Sequence, residues 1–126
     1  MSMIKVISRL FILLSWSLFV FILLLTPLPT SHTPGPPGSD KVVHIVLFGV
    51  LSFLIIYCFA IKKTFKYFPV FLFVFLASSL YAAVVEFLQV FIPGRSNSPL
   101  DLLAGMIGII IGESIAYVQF IKFKKT

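Results

Sequence analysis

The sequence has 126 residues, of which 60% are hydrophobic and 11% are charged, whereas a soluble domain averages about 45–50% apolar and about 25% charged residues. Four membrane crossings of about 20 residues each would use roughly 80 residues, so the composition excludes a cytosolic enzyme domain, a disulfide-rich secreted scaffold and a large extramembrane module. The formal charge of +6 comes mainly from basic residues beside apolar segments, which indicates topology signals and no nucleic-acid partner.

The first apolar segment covers residues 10–28 and follows Lys5 and Arg9. It is longer than the roughly 7–15 apolar residues of a secretory signal peptide, and no clear small-x-small cleavage pair follows it. We therefore interpret it as a retained transmembrane helix. Five prolines between residues 27 and 37 then predict an extended connector, because proline cannot continue a helix.

Three further apolar segments, residues 41–61, 69–91 and 99–120, are each long enough to cross a membrane. The sequence therefore predicts an all-α integral membrane bundle of four transmembrane helices, a single domain over residues 1–126. Eight basic residues fall on one side of this topology, which places both termini in the cytoplasm of a multi-pass cell-membrane protein. These residues are Lys5, Arg9, Lys62, Lys63, Lys66, Lys122, Lys124 and Lys125.

The second helix opens with Asp40, Lys41 and His44, which share one helix face. This face lies at the predicted extracytoplasmic surface of the cell membrane. This spacing is compatible with a functional site. It is equally compatible with ordinary roles: an acidic helix cap, a lysine that extends to the interface, and a histidine that is hydrogen-bonded within the bundle.

The third helix carries Glu86 and Gln89 close to its predicted outer end, on the side of Ser79, Ala82 and Ala83. A carboxylate at this depth is costly unless it is paired or protonated, so Glu86 is a candidate functional residue. The alternative is a structural ion pair or a neutral acid that bonds across helices.

The connection after the third helix contains Arg95, and Asp101 begins the fourth helix. The planar guanidinium suits carboxylate or phosphate recognition, although Arg95 is equally suited to pair with Glu86 or Asp101 or to contact a headgroup. Asp101 shares a helix face with Gly105, Gly108 and Gly112, and this pattern predicts close helix packing that turns Asp101 inward.

The segments DKVVHIVLFGVLSF and EFLQVFIPGRSNSPLDLLAGMIGIIIG, within residues 39–112, resemble the VanZ-like membrane proteins. The combination of D-K-x-x-H, E-x-x-Q, P-G-R and D-x-x-A carries this resemblance. It implies a small bacterial multi-pass membrane protein, in a family named for a member associated with teicoplanin resistance. In the family pattern an asparagine usually follows the alanine of D-x-x-A, whereas this chain has Gly105, which predicts free space beside Asp101.

We interpret the polar residues as one outward-facing site that binds a polar or anionic group of a cell-envelope component, such as a lipid-linked cell-wall precursor, and so lowers susceptibility to a glycopeptide antibiotic. Membrane lipids are the other expected partners. The sequence does not decide whether the protein is an enzyme. The predicted roles are catalytic for His44, Glu86 and Asp101 and ligand-binding for Asp40, Lys41, Gln89 and Arg95. If there is chemistry, His44 and Glu86 are the predicted acid–base pair, and Asp101 or Asp40 fixes the histidine tautomer.

No cofactor is predicted, and no metal site either, because one suitably placed histidine with scattered carboxylates falls short of a zinc pattern. Two other classes of function stay open. The intramembrane Glu86 is compatible with a small ion channel or a proton-coupled transporter, and buried polar groups are compatible with a structural accessory subunit. A homo-oligomer is compatible with all three.

Overall fold

The computed structural model describes residues 2–28, 35–60 and 66–122, with side chains as far as residue 120. This part of the chain is all-helical and contains no strand. It forms four helices and a short π-helical segment after the last one. They are α1 (Met3–Leu25), α2 (Ser39–Phe59), α3 (Tyr67–Gln89), α4 (Pro99–Tyr117) and the π-helical segment Val118–Lys122.

All four helices are long and apolar enough to cross a membrane, which confirms the predicted fold class. Helix α1 begins at Met3 rather than at residue 10, because Lys5 and Arg9 are good helix formers that extend the helix beyond its apolar part. It ends at Leu25, just before Thr26, since a residue that precedes proline disfavours the helical conformation. Residues 29–34 of the predicted connector lie outside the described residues.

Helices α2 and α4 pack most extensively, and glycines on α4 make their close approach possible. A Cβ atom built on Gly108 would overlap the backbone carbonyl of Ile45, and one built on Gly112 would overlap the carbonyl of Gly49. Ser52 of α2 also donates a hydrogen bond of 3.1 Å to the carbonyl of Ile109. The predicted role of the glycine pattern in helix packing is therefore confirmed.

Helix α1 lies at the edge of the bundle, and only 6% of its most apolar stretch is buried inside the protein. Two hydrogen bonds near the middle of α1 attach it to its neighbours. The Trp16 indole donates to the carbonyl of Leu47 on α2, and the Tyr81 hydroxyl of α3 donates to the carbonyl of Ser17. The exposed apolar side chains of α1 form the kind of surface that lipid covers.

The ends of α1 and α3 and the beginnings of α2 and α4 meet at one end of the bundle, which we call the cluster end. The connection from α3 to α4 turns there at Gly94, whose φ of 77° is readily available only to glycine. The backbone N–H of Leu28, just beyond α1, donates to the carbonyl of Pro93 over 3.2 Å. The beginning of α1 and the end of α4 consequently lie together at the opposite end.

Candidate functional site

His44 lies in the second turn of α2 and is only 3% exposed. Its Nδ1 atom lies 2.7 Å from the backbone carbonyl oxygen of Asp40. A carbonyl oxygen can only accept a hydrogen bond, so Nδ1 carries a proton and donates it. This contact fixes the orientation of the ring and directs Nε2 towards Glu86 on α3, whose Oε1 is 2.9 Å away.

Glu86 lies one turn before the end of α3 and is also only 3% exposed. Its Oε2 atom accepts a hydrogen bond of 3.3 Å from the backbone N–H of Ser98, the residue that caps the beginning of α4. The carboxylate therefore links α3 to both α2 and α4. Its short contact with His44 does not have hydrogen-bond geometry, so Glu86 Oε1 and His44 Nε2 are buried without a hydrogen-bond partner in the described part of the chain.

Asp101 and Lys41 form the rim of this cluster. Asp101 lies in the first turn of α4, and its Oδ1 atom is 3.4 Å from the ammonium nitrogen of Lys41 on α2. The lysine side chain is 43% exposed and the aspartate side chain 13%, whereas those of His44 and Glu86 are each 4% exposed. The cluster thus opens to its surroundings past Lys41 and Asp101. One ligand-type atom each from His44, Glu86 and Asp101 lies within 4.8 Å of the other two.

Gln89 and Arg95 lie at the same end of the bundle, but their donors point to α1. The Gln89 amide donates to the carbonyl of Leu24 over 2.9 Å, and the Arg95 guanidinium donates to the carbonyls of Leu23 and Thr26 over 2.9 and 3.1 Å. The last carbonyls of a helix have no partner within the helix, and in a membrane they cannot rely on water. The two side chains therefore cap the end of α1, and their predicted ligand-binding roles stay predictions.

Asp40 contributes its backbone to the cluster, through the carbonyl that holds His44. Asp40 itself is exposed and lies in the first turn of α2, where a negative charge is stabilised by the helix dipole. Its predicted role as a ligand-binding residue also stays a prediction.

The expectation of free space beside Asp101 is wrong. Phe48, which is 1% exposed, stacks against the His44 ring with 6.1 Å between ring centres. A Cβ atom added to Gly105 would lie 3.0 Å from the Phe48 ring. The aromatic ring therefore occupies the volume that a larger residue at position 105 would need.

The capping of α1 and the position of Phe48 are among the features of the site that the sequence analysis did not predict. Polar residues after a predicted helix end are a signal for capping, because unpaired carbonyls must be satisfied. Nothing in the periodicity of α2 distinguishes Phe48 from its apolar neighbours. Glu113 is a further buried acid on α4, about 18 Å along the helix from Asp101 by helical rise, and it does not belong to the cluster.

A histidine that faces a carboxylate inside a membrane bundle can share a proton with it, and a nearby lysine can attract an anion. The fold and this cluster define a polytopic membrane protein with a polar site at one end of a four-helix bundle. The family model VanZ/LLP1 matches residues 2–121, so the chain belongs to the VanZ/LLP1 family. No curated protein and no solved structure matches it.

Proposed function

We propose that the protein binds a phosphate or carboxylate group of a lipid-linked cell-envelope component at the cluster end, and that this binding lowers susceptibility to a glycopeptide antibiotic. The observation that carries the proposal is the buried set of His44, Glu86 and Asp101 with the half-exposed Lys41 at its rim. Intramembrane ionisable groups mark functional sites by default, because burial in a bilayer is costly.

The position of the cluster favours an anion at the membrane surface. Helices α2 and α4 both begin there, at Ser39 and Pro99, and the beginning of a helix carries a partial positive charge. Lys41 adds a full charge at the opening. A lipid-linked phosphate lies at the depth of the helix ends, so it can reach Lys41 while its lipid chain stays in the bilayer.

The cluster end is proposed to lie at the outer face of the membrane because of how the basic residues are distributed. Along the sequence, most basic residues lie near the start of α1, between α2 and α3 or near the end of the chain, and basic residues favour the cytoplasmic side. Labelling with a membrane-impermeant maleimide tests this assignment in a Cys58→Ser background. We expect Ser96→Cys at the cluster end to react in intact cells and Ser2→Cys at the opposite end to react only after lysis. The reverse pattern would exclude an outer site.

The functional test compares teicoplanin susceptibility and co-purifying lipids in cells that produce matched variants. We expect Lys41→Gln and Glu86→Gln to lose both resistance and any bound anionic lipid at normal membrane levels. Glu113→Gln is the control, because it removes a buried charge outside the cluster. Unchanged resistance in both site variants would refute the proposal.

Two further outcomes separate the alternatives. Retained resistance in a His44→Leu and Glu86→Leu double variant would assign the pair a purely structural role, since apolar pairs often replace buried ion pairs without loss. Ion-gradient-driven flux in liposomes that is lost in Glu86→Gln would assign the cluster to transport instead.

A further inference from the structure

We propose that the cluster is a binding site for a divalent transition-metal cation, held by Nε2 of His44 and the carboxylates of Glu86 and Asp101. The three side chains come from three different helices, and their ligand atoms lie within 4.8 Å of one another. This inference goes beyond the proposed function, because the triad of His44, Glu86 and Asp101 can bind a cation whether or not an envelope anion also binds there.

The hydrogen bonding of His44 is the arrangement that metal-binding histidines use. Such a histidine donates one ring N–H to a carbonyl or carboxylate, and this contact fixes the ring and leaves the other nitrogen free for the metal. Here Nδ1 donates to the Asp40 carbonyl over 2.7 Å, so Nε2 is the nitrogen that faces Glu86 and can offer its lone pair to a metal. Histidine is therefore already oriented as a ligand.

The second observation is that the two inner ligand atoms have no hydrogen-bond partner. His44 Nε2 and Glu86 Oε1 are buried, 2.9 Å apart, and without hydrogen-bond geometry to each other or to any other atom of the described residues. A lone pair and a carboxylate oxygen at this distance repel each other unless a proton or a cation lies between them. A cation satisfies both atoms at once without requiring them to align.

The geometry and the donor set fit a transition metal. Two ligand atoms at about 2.1 Å from a metal are about 3.0–3.4 Å apart, so the pair from His44 and Glu86 is already close to the required separation. A ligand oxygen of Asp101 lies within 4.8 Å of the other two ligand atoms, so it would need to move by at most roughly 1.5 Å to bind the same ion. One imidazole and two carboxylates suit Zn²⁺ or Mn²⁺, whereas Ca²⁺ and Mg²⁺ prefer oxygen ligands alone.

The charges of the cluster also favour a cation. Among the described residues, the carboxylates of Glu86 and Asp101 face the ammonium group of Lys41 and the ring of His44, so two acids share one fixed positive charge. A divalent ion compensates both carboxylates and releases Lys41 from its long, half-exposed contact with Asp101. Three protein ligands leave at least one coordination position free, which a phosphate or carboxylate oxygen could occupy.

The test measures Zn²⁺ and Mn²⁺ binding to full-length protein that was purified in detergent with a non-histidine tag and stripped with a chelator. We expect one equivalent of Zn²⁺ or Mn²⁺ per chain. His44→Ala, Glu86→Gln and Asp101→Asn should each weaken binding at least about tenfold, since even outer residues of metal sites commonly change affinity by that factor. Glu113→Gln is the matched control and should bind like the unmodified protein.

X-ray absorption at the zinc edge needs no variant and therefore does not depend on whether the variants fold. We expect nitrogen and oxygen ligands with one imidazole and no sulfur, which also excludes Cys58 as the ligand. Absence of stoichiometric binding by either ion would overturn the metal site, and so would equal affinities in the triad variants and the control. Stoichiometric Zn²⁺ without any bound envelope anion would support the metal site and count against the proposed function alone.

Discussion

The substitution Gly108→Ala tests whether the contact between α2 and α4 holds the bundle together. A Cβ atom at this position would overlap the carbonyl of Ile45, whereas a Cβ atom at Gly105, one turn earlier, meets only the ring of Phe48 at 3.0 Å. A normal carbon–oxygen contact of about 3.3 Å would require α2 and α4 to separate by roughly 1 Å. A ring can shift by a few tenths of an ångström, but a helix backbone moves together with its neighbours.

The expected cost follows from these contacts. Overpacking costs typically about 1–3 kcal/mol, and separation of the helices also weakens the hydrogen bond from Ser52 to Ile109, worth about 1 kcal/mol. We therefore expect Gly108→Ala to lower the free energy of unfolding by about 2–4 kcal/mol, and Gly105→Ala by less than about 1.5 kcal/mol. The helix propensity gained from alanine is the same in both variants and cancels in their comparison.

The assay is an SDS titration in mixed micelles, followed by the fluorescence of Trp16, the single tryptophan. Its indole bonds to the Leu47 carbonyl across α1 and α2, so the signal reports on helix separation. If Gly108→Ala costs no more than Gly105→Ala, the reasoning about backbone contact at the α2–α4 interface is refuted.

Two smaller effects follow from single hydrogen bonds. Gln89→Leu leaves the Leu24 carbonyl without its donor and should lower the free energy of unfolding by about 1–2 kcal/mol in the same titration; no loss would show that Gln89 does not cap α1. Ser52→Ala removes the bond to Ile109 and should cost about 1 kcal/mol, whereas Ser114→Ala, whose exposed hydroxyl bonds only within α4, should cost less than about 0.5 kcal/mol.

The sequence predicted the four helices because apolar length is a local signal. It also predicted that polar residues gather at one end, since helix position follows directly from residue number. Residue chemistry also favoured His44 and Glu86 as an acid–base pair, whereas the other contacts were not predictable in the same way. Glu86 faces His44 and the Ser98 N–H rather than Arg95, because partner choice depends on how the helices rotate against each other. Arg95 instead donates to carbonyls at the end of α1. This contact can be anticipated from the sequence, because the last carbonyls of a helix need donors.

The segment between α3 and α4 stabilises two parts of the protein at once. Glu86 and the N–H of Ser98 belong to the cluster, whereas Gln89 and Arg95, which lie between them in the chain, cap α1. A change that loosens α1 can therefore shift Glu86 without touching it. Loss of function in an Arg95 variant consequently has two possible causes, a lost ligand contact or a displaced cluster. Only a variant whose unfolding free energy is unchanged can assign Arg95 to the ligand, because capping and binding use the same guanidinium.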